Sequence, residues 1–180
     1  MGTPSFLRRV VAAAALLCLT PACSGGWVGH GDTYYARPGK KAVPGEATFR
    51  FGLPGGSWEP IKEKGVQVAW ASRDFPAVIN VSGQCERHGD SSLEQFTDHL
   101  RIDFREWKIL SQTTEPLAGR DAVRTVVEGE LDGVTATTLE FVVLKKDGCL
   151  FDFQLIAAPG HHASAKPDFD RVVAAFKYPL

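Results

Sequence analysis

Four runs of alternating apolar and polar residues lie end to end between Glu106 and Pro159: "EWKILSQTTEPL", "RDAVRTVVEGEL", "VTATTLEFVVLKK" and "CLFDFQLIAAP". A period of two fits a pleated strand and not a helix. The turns between the last three runs contain Asp132-Gly133 and Asp147-Gly148. Asp-Gly is a strong hairpin signal, because both residues accept positive φ. This stretch is therefore constrained to an antiparallel meander.

Register follows from pairing the apolar positions. Three-residue loops set Val143 opposite Phe151, Phe141 opposite Phe153 and Leu139 opposite Leu155. They also set Val123 opposite Phe141 and Val127 opposite Thr137, with Arg124 meeting Glu140 on the other face. Two-residue loops would place Arg124 against Phe141 and Glu140 against Leu155. Since a slip of one residue reverses a strand's faces, the three-residue loops are the expectation. The expected inward set is Val123, Thr125, Val127, Leu139, Phe141, Val143, Phe151, Phe153 and Leu155. Cys149 shares that parity, and Asp152 is expected at an exposed outer position.

Three shorter strands precede the meander, "ATFRFGLP", "GVQVAWAS" and "PAVINVSGQC". Between them and the meander, Leu93, Phe96, Leu100 and Phe104 recur at helical spacing. Asp90-Ser91 supplies a cap, and Ser91 with Glu94 reads as a capping box. A final helix is expected over "KPDFDRVVAAFKY", with Pro167 in its first turn. Phe169, Val172, Val173 and Phe176 form its apolar stripe. The order is β-β-β-α-β-β-β-β-α. The fold class is α+β, an antiparallel β-sheet of about six or seven strands with two helices packed on it.

The N-terminus reads as an address. Arg8 and Arg9 precede the apolar run "VVAAAALLCL", which is followed by "TPAC". Charge, apolar run and small residues in that order are the layout of a secretory signal peptide. The run falls short of the roughly 20 apolar residues that span a bilayer. "TPAC" resembles a lipobox, with Thr20 where the pattern prefers Leu, and this makes Cys23 the lipidated residue. Ser24 after it implies the outer membrane, facing the periplasm. Cleavage after the small-x-small "TPA" is the alternative, giving a secreted or soluble periplasmic protein. The expected organisation is a signal peptide over 1–22, a lipidated Cys23 with a flexible tether over 23–46, and one α+β domain over 47–180. Trp27, Tyr34 and Tyr35 are unusual in a linker; they fit a strand folding back, simple disorder, or a docking segment.

Export gives the cysteines a context. With Cys18 in the leader and Cys23 lipidated, Cys85 and Cys149 remain and are expected to form one disulfide. A C-x-x-C pair is absent, which argues against thiol-disulfide catalysis. The formal net charge is −1, with no long basic run, so a nucleic acid is not the expected partner. No G-x-S-x-G, H-E-x-x-H, G-x-G-x-x-G or P-loop occurs. "CERHGD" and the His161-His162 pair, placed in a loop, are read as polar loop residues, and no metal, cofactor or catalytic residue is assigned.

"TFRFGLPGGSW", "PLAGRDAVRTVVEG" and "DFDRVVAAFKY" together resemble the PsbP/Mog1-like fold, over about Ala47 to Leu180. The resemblance implies a non-catalytic accessory or binding protein. The functional expectation is a non-enzymatic envelope lipoprotein that binds a ligand or an envelope protein partner and touches the membrane through its N-terminal lipid. Two alternatives stay open: an envelope hydrolase with a spatial triad or metal site, and a structural component of an envelope complex.

Overall fold

The computed structural model describes residues 32–34, 47–85, 91–100 and 104–180. The leader, Cys23 and Trp27 lie outside the described residues, as do His30, Tyr35 and the stretch 86–90. Elements run in the order β1 (Thr33–Tyr34), β2 (Phe49–Arg50), β3 (Trp58–Ile61), β4 (Val68–Ser72), β5 (Ala77–Gln84), α1 (Leu93–His99), β6 (Arg105–Leu117), β7 (Arg120–Leu131), β8 (Val134–Lys146), β9 (Cys149–Ala157) and α2 (His162–Ala174). Seven strands form one antiparallel sheet in the order β3-β4-β5-β9-β8-β7-β6. The α+β class and both helices match the sequence reading.

The turns differ from expectation. Lys146 pairs directly with Cys149 and Leu131 with Val134, so both Asp-Gly loops have two residues. Asp132, Gly133, Asp147 and Gly148 all take positive φ, the requirement of a type I′ turn. On β8–β9 the register is uninterrupted, and Glu140 pairs with Leu155 and Val143 with Asp152. On β7–β8 a bulge follows the turn, with Ala136 at φ 56°. The extra residue restores the expected parity there, with each partner moved by two: Val123 pairs with Val143 and Val127 with Leu139.

The expected inward set is buried throughout, but on two faces rather than one. Phe151, Phe153, Leu155 and Cys149 join Val142, Leu144, Ile79, Val81, Trp70 and the stripe of α2 in the larger core. Val127, Leu139, Phe141 and Val143 lie on the other face, against Leu93, Phe96, Leu100, Phe104 and Trp107. Helices cover both sides, so in-versus-out alternation does not hold for the central strands. Asp152 is therefore partly buried on the central strand β9 and not at an exposed edge.

Three local readings shift. The first helix is capped by Ser92, whose hydroxyl accepts from Gln95 N while Gln95 accepts from Ser92 N, one residue later than the Ser91–Glu94 box. The second helix begins at His162, so Pro167 lies inside it and not in its first turn. Pro167 offers no N–H to the preceding turn. Tertiary contacts fix the earlier start: Ala165 is buried and the His161 ring stacks on Phe75 at 6.2 Å. β3 was not expected; it contains Pro60 and lies at the sheet edge, where proline is tolerated.

β1 lies within the stretch expected to be a tether. It pairs antiparallel with β2, and Asp32 accepts from Arg50 Nη2 at 3.1 Å. Phe49 and Phe51 enter the larger core, where Phe49 meets Phe151 at 5.4 Å and Phe51 meets Trp70 at 5.4 Å. This segment passes so close to α2 that Gly52 N donates to Val172 O at 2.9 Å. A Cβ on Gly52 would stand 2.1 Å from Arg171 O. Cys85, just after β5, is joined by a disulfide to Cys149 at the start of the adjacent β9. The Tyr178 hydroxyl lies 2.9 Å from Cys149 Sγ.

Because that clash is with helix backbone, Gly52→Ala is expected to destabilise the domain by about 2 kcal/mol or more, measured by urea unfolding. An unchanged midpoint would show that the segment does not pack on α2 as described.

Candidate binding site

Two polar constellations interrupt the apolar layers, one on each face of the sheet. The first is centred on Glu140, whose side chain has no solvent exposure. Its Oε1 accepts from Arg124 Nη1 and lies 3.6 Å from Lys166 Nζ; its Oε2 lies 2.6 Å from His162 Nε2. Arg124 Nε also donates to Glu115 at 2.9 Å, and its Nη1 to Asp170 at 3.1 Å. Lys166 Nζ donates to Asp170 at 2.7 Å. Thus β6, β7 and β8 grip α2 from His162 to Asp170 by charge.

Burial pushes the Glu140 carboxyl up, but the hydrogen bond with His162 and the charges of Arg124 and Lys166 outweigh it and hold the group below the usual carboxylate range. The Arg124 guanidinium moves the other way and is raised: burial opposes its charge, and Glu115 and Glu140 more than compensate. Sequence reading foresaw the Arg124–Glu140 meeting. It missed His162, which it placed in a loop. Among the described residues no hydroxyl or thiol is hydrogen-bonded to His162, so the pair lacks the nucleophile that a triad requires.

The second constellation lies on the α1 face, on β5 and β9. Asn80 pairs with Gln154 and Ser82 with Asp152, two adjacent cross-strand pairs. By strand parity all four side chains share one face. Helix α1 makes its main contacts with β7 and β8, on one side of these residues. Asn80 is 5% exposed, and its Oδ1 has no hydrogen-bond partner among the described residues. Asp152 Oδ1 accepts from Gln154 Nε2 at 2.9 Å. Burial raises the Asp152 carboxyl to about 6, with the Gln154 hydrogen bond opposing the shift. Among the described residues Asp152 has no ion-pair partner, unlike Glu140, Asp168 and Asp170. Asn80, Ser82 and Gln154 were not singled out from the sequence. The signal available was that polar residues recur at alternate places in two strands whose other face is apolar.

Asp168 fixes the loop before β3. Trp58 Nε1 donates to it at 2.8 Å and Gly55 N at 3.2 Å. These contacts make "GLPGGSW" and "DFDRVV" one packing unit.

The sequence matches no family model and no curated protein. Solved structures do match. The solution structure of cyanobacterial PsbP from Synechocystis sp. PCC 6803 superposes with a TM-score of 0.52 at 17% identity, over 88% of this chain and 99% of that one. The fold is PsbP-like. A structure from Bacteroides thetaiotaomicron VPI-5482 gives a TM-score of 0.52 at 12% identity, over 72% of this chain and 44% of that one. LpqN of Mycobacterium tuberculosis, described as involved in cell envelope biogenesis, gives 0.49 at 16% identity over 76% and 86%.

Removing Arg124 leaves a buried carboxylate short of a partner, so Arg124→Ala is expected to cost about 3 kcal/mol in chemical unfolding. A cost within error of zero would refute the clamp. For Asp152 the folded pKa lies above the ordinary value. Between about pH 4 and 6 the native state keeps a proton that the unfolded chain releases, so stability falls as pH rises through that window. Asp152→Asn is expected to flatten that part of the profile and to gain on the order of 2 kcal/mol at pH 7. Unfolding midpoints across the window read both effects, and an unaltered profile would count against them.

Proposed function

We propose that the protein is an exported, lipid-anchored module of the cell envelope, held by Cys23, that works by binding a ligand or an envelope protein and not by catalysis. The observation carrying this reading is the Cys85–Cys149 disulfide in a domain that follows a leader ending in "TPA" just before Cys23. Disulfides persist outside the reducing cytosol, so the bond and the leader point independently to export. Ser24 after the anchor favours the outer membrane, facing the periplasm.

The hydrolase alternative has one observation in its favour, the contact between His162 and Glu140. The geometry weighs against it. Arg124 and Lys166 share the same carboxylate, and the cluster stitches a helix to the sheet. The polar strip on the α1 face sets hydrogen-bonding groups side by side on two strands, which suits recognition.

Growth with a labelled fatty acid tests the anchor. The wild-type chain is expected to carry label in the membrane fraction, and Cys23→Ala to lose it. Label retained by Cys23→Ala, or an unacylated wild-type chain beginning at Cys23, would overturn lipidation at this residue.

A further inference from the structure

We infer that the strip formed by Asn80, Ser82, Asp152 and Gln154 is a binding site for a small organic ammonium group that also carries a hydroxyl, an amino alcohol. The inference deepens the binding-module reading by naming a ligand class, and it does not depend on the lipid anchor.

Asn80 Oδ1 is a strong acceptor on a side chain only 5% exposed, and no described residue donates to it. Leaving such a group unpaired costs stability, yet an apolar residue of the same size would fit the same strand. Asp152, one row along the same face, has a carboxylate whose one hydrogen bond among the described residues comes from the Gln154 amide. Lys145 lies diagonally across on β8, but its Nζ donates to Ser91 O at 2.5 Å and stands 4.7 Å from the centre of the Phe96 ring. Lys145 is thus engaged at the start of α1. Ser82, between β4 and β9 in the sheet, adds a hydroxyl in the same row as Asp152.

The strip thus offers one uncompensated negative charge and a neighbouring acceptor that lacks a donor. A ligand that satisfies both must supply a cationic N–H donor and a second donor a short distance away. An ammonium on Asp152 gains a charge-assisted hydrogen bond, and a hydroxyl on Asn80 Oδ1 removes the orphan. An anion would meet the carboxylate unscreened, and an apolar ligand would leave both groups unpaired. The free amino alcohol and the headgroup of an aminophospholipid present the same chemistry.

Ethanolamine is the probe, with ethylene glycol as its uncharged counterpart, titrated into the isotopically labelled protein and followed by NMR. Ethanolamine is expected to shift the Asn80 and Gln154 side-chain amide signals saturably, and ethylene glycol to leave them in place. Asp152→Asn should weaken the response at least about tenfold. Asn80→Leu should abolish it while raising the unfolding midpoint, so that loss of binding is not loss of fold. Vesicles of phosphatidylethanolamine, compared with phosphatidylglycerol, then separate a headgroup from a free amine. No saturable shift, an equal response to ethylene glycol, or full binding by both variants would overturn the site. Fatty-acid labelling of Cys23 reads the anchor separately.

Discussion

Glu140 is a carboxylate with no access to water, set beside Leu155 and Val142 in a layer built largely of aromatic and aliphatic side chains. A lone charge there would cost several kcal/mol. It is tolerated because Arg124, His162 and Lys166 converge on it from two elements. The arrangement fixes more than one ion pair. His162 is the first residue of α2, so the carboxylate determines where the helix starts along the sheet. Helix placement in turn seats Phe169, Val172 and Val173 on the sheet, receives β2 and Gly52, and presents Asp168 to Trp58. Replacing the cluster by apolar residues of similar volume would keep the contact area and lose that register.

Both faces of the sheet are covered, but unequally. Helix α2 and the Phe49–Gly52 segment lie along one face and share a continuous aromatic cluster, with Phe151 and Phe176 4.8 Å apart. On the other face α1 has seven residues, about two turns. Its main contacts are with β7 and β8, and Leu150 and Ile156 of β9 join the same apolar cluster. The neighbouring strip on β5 and β9 is polar, and its four side chains make few bonds with each other. A short helix and two neighbouring strands thus frame the candidate site.

How far this was legible in the sequence depends on what each reading assumed. The four long strands, the two Asp-Gly hairpins and the stripe on the last helix follow from local chemistry, and they appear. The register did not follow, because the pairing argument took apolar to mean one inner face. With helices on both sides, Phe141 and Phe153 can be equally buried and back to back. Glu140 opposite Leu155 looked like an error by the same logic; it is allowed because the partners of Glu140 come from a helix distant in sequence. Pro167 suggested a helix start, but buried Ala165 and the Glu140 contact to His162 extended the helix past it. Asn80 was unreadable as a site residue, since its lack of a partner is a property of the assembled sheet.

One consequence concerns reach. β1 is two residues long, yet it fastens the chain to the body of the domain at Asp32, Thr33 and Tyr34. If Cys23 is embedded in a lipid leaflet as proposed, the slack is set by the stretch from Cys23 to Asp32, and the residues after Tyr34 add none. Fully drawn out, that stretch covers roughly 30 Å, about the thickness of the bilayer's own hydrocarbon layer. Such a domain would patrol the headgroup region and would not sweep across the compartment.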